Sequence, residues 1–171
     1  MNVEPQFKQD KDSNTCGINV CRAIIYYIQN TKISQDSILK KVKELSFENN
    51  NWKQNFLNGT GPMPTTQLRE LLLKEFGIEL ELKENVSTAD IQQKEVLAIL
   101  EPETEGWHAV LIREIKGDKV RYMDPKDGQE HSEFIKEFDK LRQPKRETDK
   151  RKSLEILSPI KKADPDPYAS T

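Results

Sequence analysis

The stretch Asn14-Thr15-Cys16-Gly17-Ile18-Asn19-Val20 decides the fold we expect, because it marks the start of a buried helix. Ser13, Asn14 and Thr15 are residue types that cap helix N-termini. From Cys16 to Gln29, apolar residues recur at helical spacing and cover more than one side of the helix: Ile18, Val20, Cys21, Ile24, Ile25, Tyr27 and Ile28. The pattern predicts a central, mostly buried helix with a thiol in its first turn.

The remaining patterns predict further helices followed by strands. Ser34 caps a second helix, and a third begins at Thr65 or Thr66 and ends at Gly77. Apolar runs of strand length, a loop and a last amphipathic helix complete the outline: strands at 78–82, 96–100, 108–115 and 119–124, a loop at 47–64, and a helix at 133–141. This order predicts an α+β fold. Its N-terminal helical half, with the cysteine-bearing helix at the centre, packs on a small C-terminal antiparallel sheet.

The chain length of 171 residues fits one domain of ordinary size. We assign residues 1–141 to that domain and residues 142–171 to a charged, proline-containing C-terminal extension that is partly disordered. The extension has a single apolar cluster, formed by Leu154, Ile156, Leu157 and Ile160. The sequence leaves open whether this cluster belongs to a tail, a tether or a strand packed on the domain.

Composition and charge exclude several classes of function. A net charge of −2 gives no reason to expect a nucleic-acid partner, and the basic run at 145–152 contains Glu147 and Asp149, which favours a solvated tail. No apolar run approaches the roughly 20 residues that span a bilayer, and residues 1–6 do not form a secretory signal. Cys16 and Cys21 lie on one helix and cannot form a disulfide, so free thiols and a cytoplasmic location are expected.

Cys16 is the candidate nucleophile. A helix N-terminus favours the thiolate, because the free backbone N–H groups and the helix dipole favour negative charge there. Gly17 leaves room beside the thiol for an incoming carbonyl group. The alternative is that Cys16 is a small buried core residue, which free cysteines often are. Cys21 lies farther along the buried face, and we interpret it as a core residue.

His108 is the candidate base, because the chain has only two histidines. It stands at the start of an apolar strand. His131 lies in a polar stretch at the start of the predicted last helix, where a solvated or capping role is expected. Two histidines without close cysteine or histidine neighbours predict no metal site, and no cofactor is expected.

Asp124 is the candidate group that orients His108. A three-residue turn, Lys116-Gly117-Asp118, would pair Val110 with Asp124 and put His108 and Asp124 on one face of the hairpin. A two-residue turn would put them on opposite faces. The apolar pattern favours the first register. An ordinary Asp-Pro turn is the alternative interpretation of this site.

An acyl-transfer site also needs hydrogen-bond donors for the oxyanion. The backbone N–H of Cys16 is one candidate. The side-chain amide of Gln9 or of Gln6 is the second, and an ordinary surface glutamine is the alternative for either.

Taken in order, these residues resemble the papain-like cysteine peptidases, and more closely the bacteriocin-processing double-glycine peptidases. The matching segments are Phe7-Lys8-Gln9, Cys16-Gly17, His108-Ala109-Val110-Leu111 and Asp124-Pro125, and the likeness extends over residues 6–141. The spacing from Gln9 to Cys16 is one residue longer than in that family. Many of its members are domains of ABC exporters, whereas this sequence has neither membrane helices nor a nucleotide-binding motif.

The resemblance implies a papain-like fold and a cysteine peptidase with a Cys16–His108–Asp124 triad and Gln9 at the oxyanion. Its substrate would be a peptide or protein with glycine before the scissile bond. Ubiquitin-like C-termini also end in glycine, so a deubiquitinase-like isopeptidase, including a bacterial effector exported without a cleaved signal, remains open. A deamidase or transglutaminase with the same triad, and a non-catalytic peptide-binding domain of the same fold, remain open as well.

Overall fold

The computed structural model describes residues 7–9, 14–92, 94–100, 108–143 and 154–160. Within these residues the fold is α+β. The helices are α1 (Cys16–Gln29), α2 (Gln35–Glu44), α3 (Lys53–Leu57), α4 (Thr65–Phe76) and α5 (Ile135–Arg142), with a 3₁₀ turn at Thr88–Asp90. The strands are β1 (Leu80–Lys83), β2 (Val96–Leu100), β3 (His108–Lys116), β4 (Lys119–Asp124), β5 (Gln129–Phe134) and β6 (Ile156–Pro159). Among the described helices, none is long and apolar enough to cross a membrane.

The six strands form one sheet in the order β1-β6-β2-β3-β4-β5, and all of its neighbouring strands are antiparallel. Alternate residues of the central strands therefore face opposite sides. On one side, Ala109 and Leu111 pack with α1, α2 and α4. On the other, Val110 and Ile112 pack with Phe138 of α5. The central sheet thus has a hydrophobic cluster on each face.

The α1 helix has the predicted bounds, and nine of its first ten residues are buried: Cys16, Gly17, Ile18, Asn19, Val20, Cys21, Ala23, Ile24 and Ile25. Thr15 is its N-cap, but the Thr15 side chain makes no capping hydrogen bond. The Thr15 hydroxyl instead lies 3.2 Å from Oε1 of Gln35, which also accepts a bond from Asn19 at 2.8 Å. The start of α1 is therefore fixed to α2 by partly buried polar contacts rather than by side-chain capping.

The β3–β4 hairpin corrects our prediction for its turn. Lys116 pairs with Lys119, so Gly117-Asp118 is a two-residue turn, which on its own would place His108 and Asp124 on opposite faces. The register shifts between Ile112 and Glu114, and from there Ile112 pairs with Tyr122, as in the predicted register. Arg113 is the extra residue of this β-bulge. The bulge restores the alignment that the turn alone would lose.

Two strands were not predicted. β5 occupies the start of the segment predicted as the last helix, and α5 follows it from Ile135. β6 lies within the predicted C-terminal extension and pairs with both β1 and β2. The sequence left open whether this apolar cluster belongs to a tail, a tether or a packed strand, and Ile156–Pro159 form a strand packed in the sheet. The partial disorder predicted for residues 142–171 stays a prediction, because residues 144–153 and 161–171 lie outside the described residues.

Gly17 lies where α1 approaches α4. A Cβ atom at this position would sit 2.9 Å from Cδ1 of Leu68, which is fully buried. The sequence interpretation placed the missing side chain beside an incoming carbonyl group. The structure gives a packing reason for the glycine, because any side chain at this position would meet the neighbouring helix.

We expect Gly17→Ala to destabilise the fold by about 1–3 kcal/mol, since overpacking a filled core costs that much. In an exposed helix interior, the same change stabilises by roughly 1 kcal/mol. The free energy of unfolding in urea measures the effect. Gly61→Ala is the control, because a Cβ there would meet only Cβ of Asn55 at an ordinary 3.5 Å. Equal stability of Gly17→Ala and the unmodified chain would show that Leu68 moves aside at no cost.

Candidate functional site

Cys16 lies at the first position of α1, where the helix meets the start of β3. Its Sγ accepts a hydrogen bond from the backbone N–H of Ala109 at 3.5 Å. The residue is 5% exposed. Asn14 fixes the chain just before it, since its side-chain amide donates to the carbonyl oxygens of Phe56 at 2.9 Å and Gly61 at 2.6 Å. The thiol is therefore held by the helix start, by β3 and by the loop before α4.

His108 is the first residue of β3 and is 8% exposed. Its Nε2 forms a short hydrogen bond with Oδ1 of Asp124, and Cys16 lies close enough to the ring to help raise its pKa. A position at the end of the strand lets one ring contact groups from a helix and from the neighbouring strand. The structure thus brings Cys16, His108 and Asp124 together.

Asp124 is the last residue of β4, and a tight turn follows it. Its Oδ1 accepts the backbone N–H of Lys126 at 2.9 Å, and its carbonyl oxygen accepts the N–H of Gly128 at 2.8 Å. Gly128 has a φ of +71°, which favours glycine. The turn fixes the backbone of Asp124 and gives its carboxylate a second donor besides His108. The sequence offered an ordinary turn and an orienting carboxylate as alternatives. Asp124 does both, because it starts the turn and its carboxylate bonds to His108.

The pKa values of this pair are displaced in opposite directions. Burial lowers the pKa of an imidazole, but the hydrogen bonds of His108 with Asp124 and Cys16, and the charges of those groups, outweigh it and raise the pKa of His108 to about 9. Burial raises the pKa of the Asp124 carboxyl, but its contacts with His108 and the Lys126 N–H hold it below its usual range. At neutral pH the geometry therefore favours an imidazolium beside a carboxylate.

Gln9 lies on the same rim of the site. Its backbone N–H donates to the carbonyl oxygen of Pro125 at 2.8 Å, directly after Asp124. Next to it, Lys8 packs closely on the turn, because a Cβ on Gly128 would lie 3.0 Å from Cβ of Lys8. The oxyanion role of Gln9 stays a prediction. Gln6, the alternative, lies outside the described residues.

His131 lies on β5, not at the start of a helix as the sequence analysis had it. Its Nε2 is 2.7 Å from Oδ2 of Asp127, and its ring stacks on Tyr122, with centroids 5.6 Å apart and planes at 25°. The contact between Asp127 and His131 could not be recognised from their spacing in the sequence, because β5 was not predicted. Only the strand brings the second histidine onto the turn that follows Asp124.

Cys21 is a core residue, as the sequence analysis concluded. It is 0% exposed, and burial raises the pKa of its thiol strongly. Both cysteines are free. Cys21 therefore provides a matched control for experiments on Cys16, since the two thiols differ in their neighbours but share one helix. Among the described residues, no group of three or more histidine, cysteine, aspartate or glutamate side chains could hold a metal ion.

Two comparisons with known proteins find no match for the chain. No protein-family model matches it, and no curated protein sequence matches it significantly. The function of the chain is therefore inferred from the geometry of its own residues.

Proposed function

We propose that the protein is a papain-like cysteine peptidase that hydrolyses peptide bonds through a Cys16–His108–Asp124 triad. The observation that carries the proposal is the position of His108, whose ring bonds to Asp124 while the N–H of the next residue, Ala109, donates to Sγ of Cys16 at 3.5 Å. A nucleophile, a base and a group that orients the base are the minimum set for acyl transfer by a thiol. Helices and strands hold all three side chains, so their arrangement does not depend on a loose loop.

The reaction follows from the atoms in contact. Nε2 of His108 faces Asp124, so Nδ1 is the nitrogen that exchanges a proton with Cys16. Sγ of Cys16 attacks the substrate carbonyl carbon, the C–N bond breaks, and His108 gives its proton to the leaving amine. Water then attacks the thioester, His108 takes its proton, and the acid product leaves with the thiol restored. The Cys16 N–H and the side chain of Gln9 are the proposed oxyanion donors.

The substrate class we propose is a peptide or protein segment with a small residue, glycine in the first instance, before the scissile bond. Cys16 and His108 are 5% and 8% exposed, so the reacting carbonyl must approach through a narrow opening. Glycine leaves the most room at that point. A ubiquitin-like C-terminus meets this requirement as well as a linear peptide does. The mass of the product separates hydrolysis from transamidation and from deamidation of a glutamine side chain.

Alkylation of Cys16 by iodoacetamide against pH tests the proposal. An imidazolium stabilises the neighbouring thiolate, and His108 keeps its proton below about pH 9, so we expect fast labelling of Cys16 at neutral and mildly acidic pH. His108→Gln removes that cation and should slow labelling at pH 6 by about tenfold or more, since one pKa unit is a factor of ten. Mass mapping identifies the labelled thiol, and Cys21→Ala is the control that should label as the unmodified chain does.

Peptide substrates complete the test. A library of glycine-containing peptides and ubiquitin amidated at its C-terminus are incubated with the protein, and products are identified by mass. Slow labelling that is independent of His108, with no cleavage of any substrate, would contradict the peptidase proposal. It would favour the non-catalytic peptide-binding domain, for which an unreactive thiol is the expected property.

A further inference from the structure

A second histidine–aspartate pair lies directly behind the first. Asp127 belongs to the turn that starts at Asp124, and its carboxylate contacts His131 at 2.7 Å from the neighbouring strand β5. Oδ1 of Asp127 also accepts the backbone N–H of Gln129 at 2.9 Å. The turn is therefore held at its end by a side-chain contact with β5 as well as by its own backbone.

The His131 ring is itself fixed in place. It pairs directly with Tyr122 across the β4–β5 ladder and stacks on the Tyr122 ring. The Tyr122 ring in turn packs on Phe138 of α5 at a centroid distance of 5.0 Å, and Phe138 is fully buried. Half-exposed ion pairs contribute little when both side chains are mobile. In this pair, the stack on a core-anchored ring limits the freedom of the histidine.

We propose that His131 and Asp127 are positioning residues, which hold the turn after β4 so that the Asp124 carboxylate stays on the ring of His108. This inference rests on the proposed function, because it assigns these residues a part in the same site. The chain of contacts runs from Phe138 through Tyr122 and His131 to Asp127, and from there along the turn to Asp124. Neither residue is proposed to touch the substrate.

The groups around the pair determine in which direction the pKa of His108 should change when His131 is replaced. His108 faces Cys16 from α1 and Asp124 from β4, while Asp124 is also within the influence of the His131 charge. Tyr122 lies within the influence of Asp124, Asp127 and Glu133. If His131 had no part in holding the turn, its removal would not lower the pKa of His108. If it acts by position, its removal loosens the contact of Asp124 with His108 and lowers that pKa.

Proton NMR of the imidazole C–H resonances measures this directly, because the chain has only two histidines and each can be assigned from a single variant. His131→Phe keeps a ring to stack on Tyr122 but cannot bond to Asp127. We expect it to lower the titration midpoint of His108 from about 9 by about half a pH unit, the size of a partly exposed charged contact. His131→Gln keeps an N–H donor for Asp127, so the titration midpoint of His108 in this variant should lie close to that of the unmodified chain.

An unchanged or raised midpoint in His131→Phe would overturn the positioning role. So would an equal lowering in His131→Phe and His131→Gln, because the bond to Asp127 would then be irrelevant. The titration needs no substrate, so it separates this inference from the proposed function. If the variants show the expected shifts but the protein cleaves no substrate, the positioning role stands and the peptidase proposal fails. If the protein cleaves a substrate but the shifts are absent, the peptidase proposal stands and the positioning role fails.

Discussion

Replacing Cys16 with alanine is expected to abolish hydrolysis, and His108→Ala is expected to reduce it by about a thousandfold or more. Residues of a nucleophile–base pair act as a unit, so loss of either removes nearly all of the chemical step. The position of His108 beside Cys16 supports this expectation, because every proton transfer of the proposed reaction passes through this histidine. The rate of peptide cleavage by purified variants is the measurement.

The double variant gives the sharper result. Cys16→Ala with His108→Ala should be no slower than Cys16→Ala alone, since the base has nothing to activate once the thiol is gone. Cys21→Ala is the control, because that thiol is buried away from the site, and it should retain the rate of the unmodified chain. Residual hydrolysis in Cys16→Ala near that of the unmodified chain would place the nucleophile elsewhere and contradict the triad.

Asp124→Asn should reduce the rate of hydrolysis less than the changes at Cys16 and His108 do. The amide keeps an oxygen in place of the carboxylate but cannot support the imidazolium by charge. It also removes the group whose hydrogen bond with His108 is the first of the contributions that raise the pKa of that residue against burial. As the pH rises, His108 in this variant should lose its proton earlier. The activity of the variant should therefore be lost at a lower pH than the activity of the unmodified chain.

The first half of the fold was predictable because its signals are local. The apolar pattern from residue 16 to residue 29 and the glycine at 77 gave the bounds of α1 and the end of α4, where Gly77 adopts a φ of +65°. Helical periodicity and left-handed caps are properties of neighbouring residues, so they can be recognised without knowledge of the rest of the chain.

The contact of His108 with Asp124 was predicted through a local route that the chain does not use. Our prediction put His108 beside Asp124 through a three-residue turn, whereas the chain uses a two-residue turn and a β-bulge at Arg113. The bulge could not be predicted from neighbours, because Arg113 is held by distant groups. It contacts Glu95 at 2.5 Å and lies over the Tyr27 ring at 3.4 Å from its centroid. Tertiary contacts thus produced the expected alignment by a different local route.

The last strand was not predictable, because its partners are far away in the sequence. Leu80 of β1 pairs with Pro159, and Leu97 of β2 pairs with Leu157. Seen alone, the segment around Ile156 and Leu157 is a short apolar cluster inside a charged region. Only the gap between β1 and β2 gives it a strand conformation, since a strand placed there pairs on both sides.

β6 joins the two halves of the sheet. In the described part of the chain, β1 has β6 as its pairing partner, and β6 links it to β2. Glu155, just before the strand, accepts a hydrogen bond from Thr65 at the start of α4 at 2.5 Å. On the other face, the buried Arg142 donates to the carbonyl oxygen of Leu154 at 3.0 Å. The strand therefore ties α4 and β1 to the part of the sheet that carries His108 and Asp124.

A chain that ends at residue 153 is therefore expected to lose its cooperative fold. Ile156 and Leu157 are buried, and full burial of each contributes about 1.5–3 kcal/mol, so their loss alone removes roughly 3–6 kcal/mol from a total stability of about 5–15 kcal/mol. Loss of the pairing on both sides of β6 adds to this. Urea unfolding followed by circular dichroism measures the effect. A chain that ends at Ile160 keeps every contact of β6 given above, so it is the matched control and should unfold at the midpoint of the full chain.

A synthetic peptide of residues 154–160 separates loss of the strand from nonspecific damage by truncation. Added to the chain that ends at residue 153, it should restore part of the stability in proportion to its concentration, because binding to the folded state alone stabilises that state. A peptide with Leu157→Asp should not, since it would put a charge into the core beside Leu97. The opposite result would be a chain ending at residue 153 that unfolds at the midpoint of the full chain. In that case β6 would not contribute to the stability of the fold, and other elements would hold α4 and β1 to β2–β5.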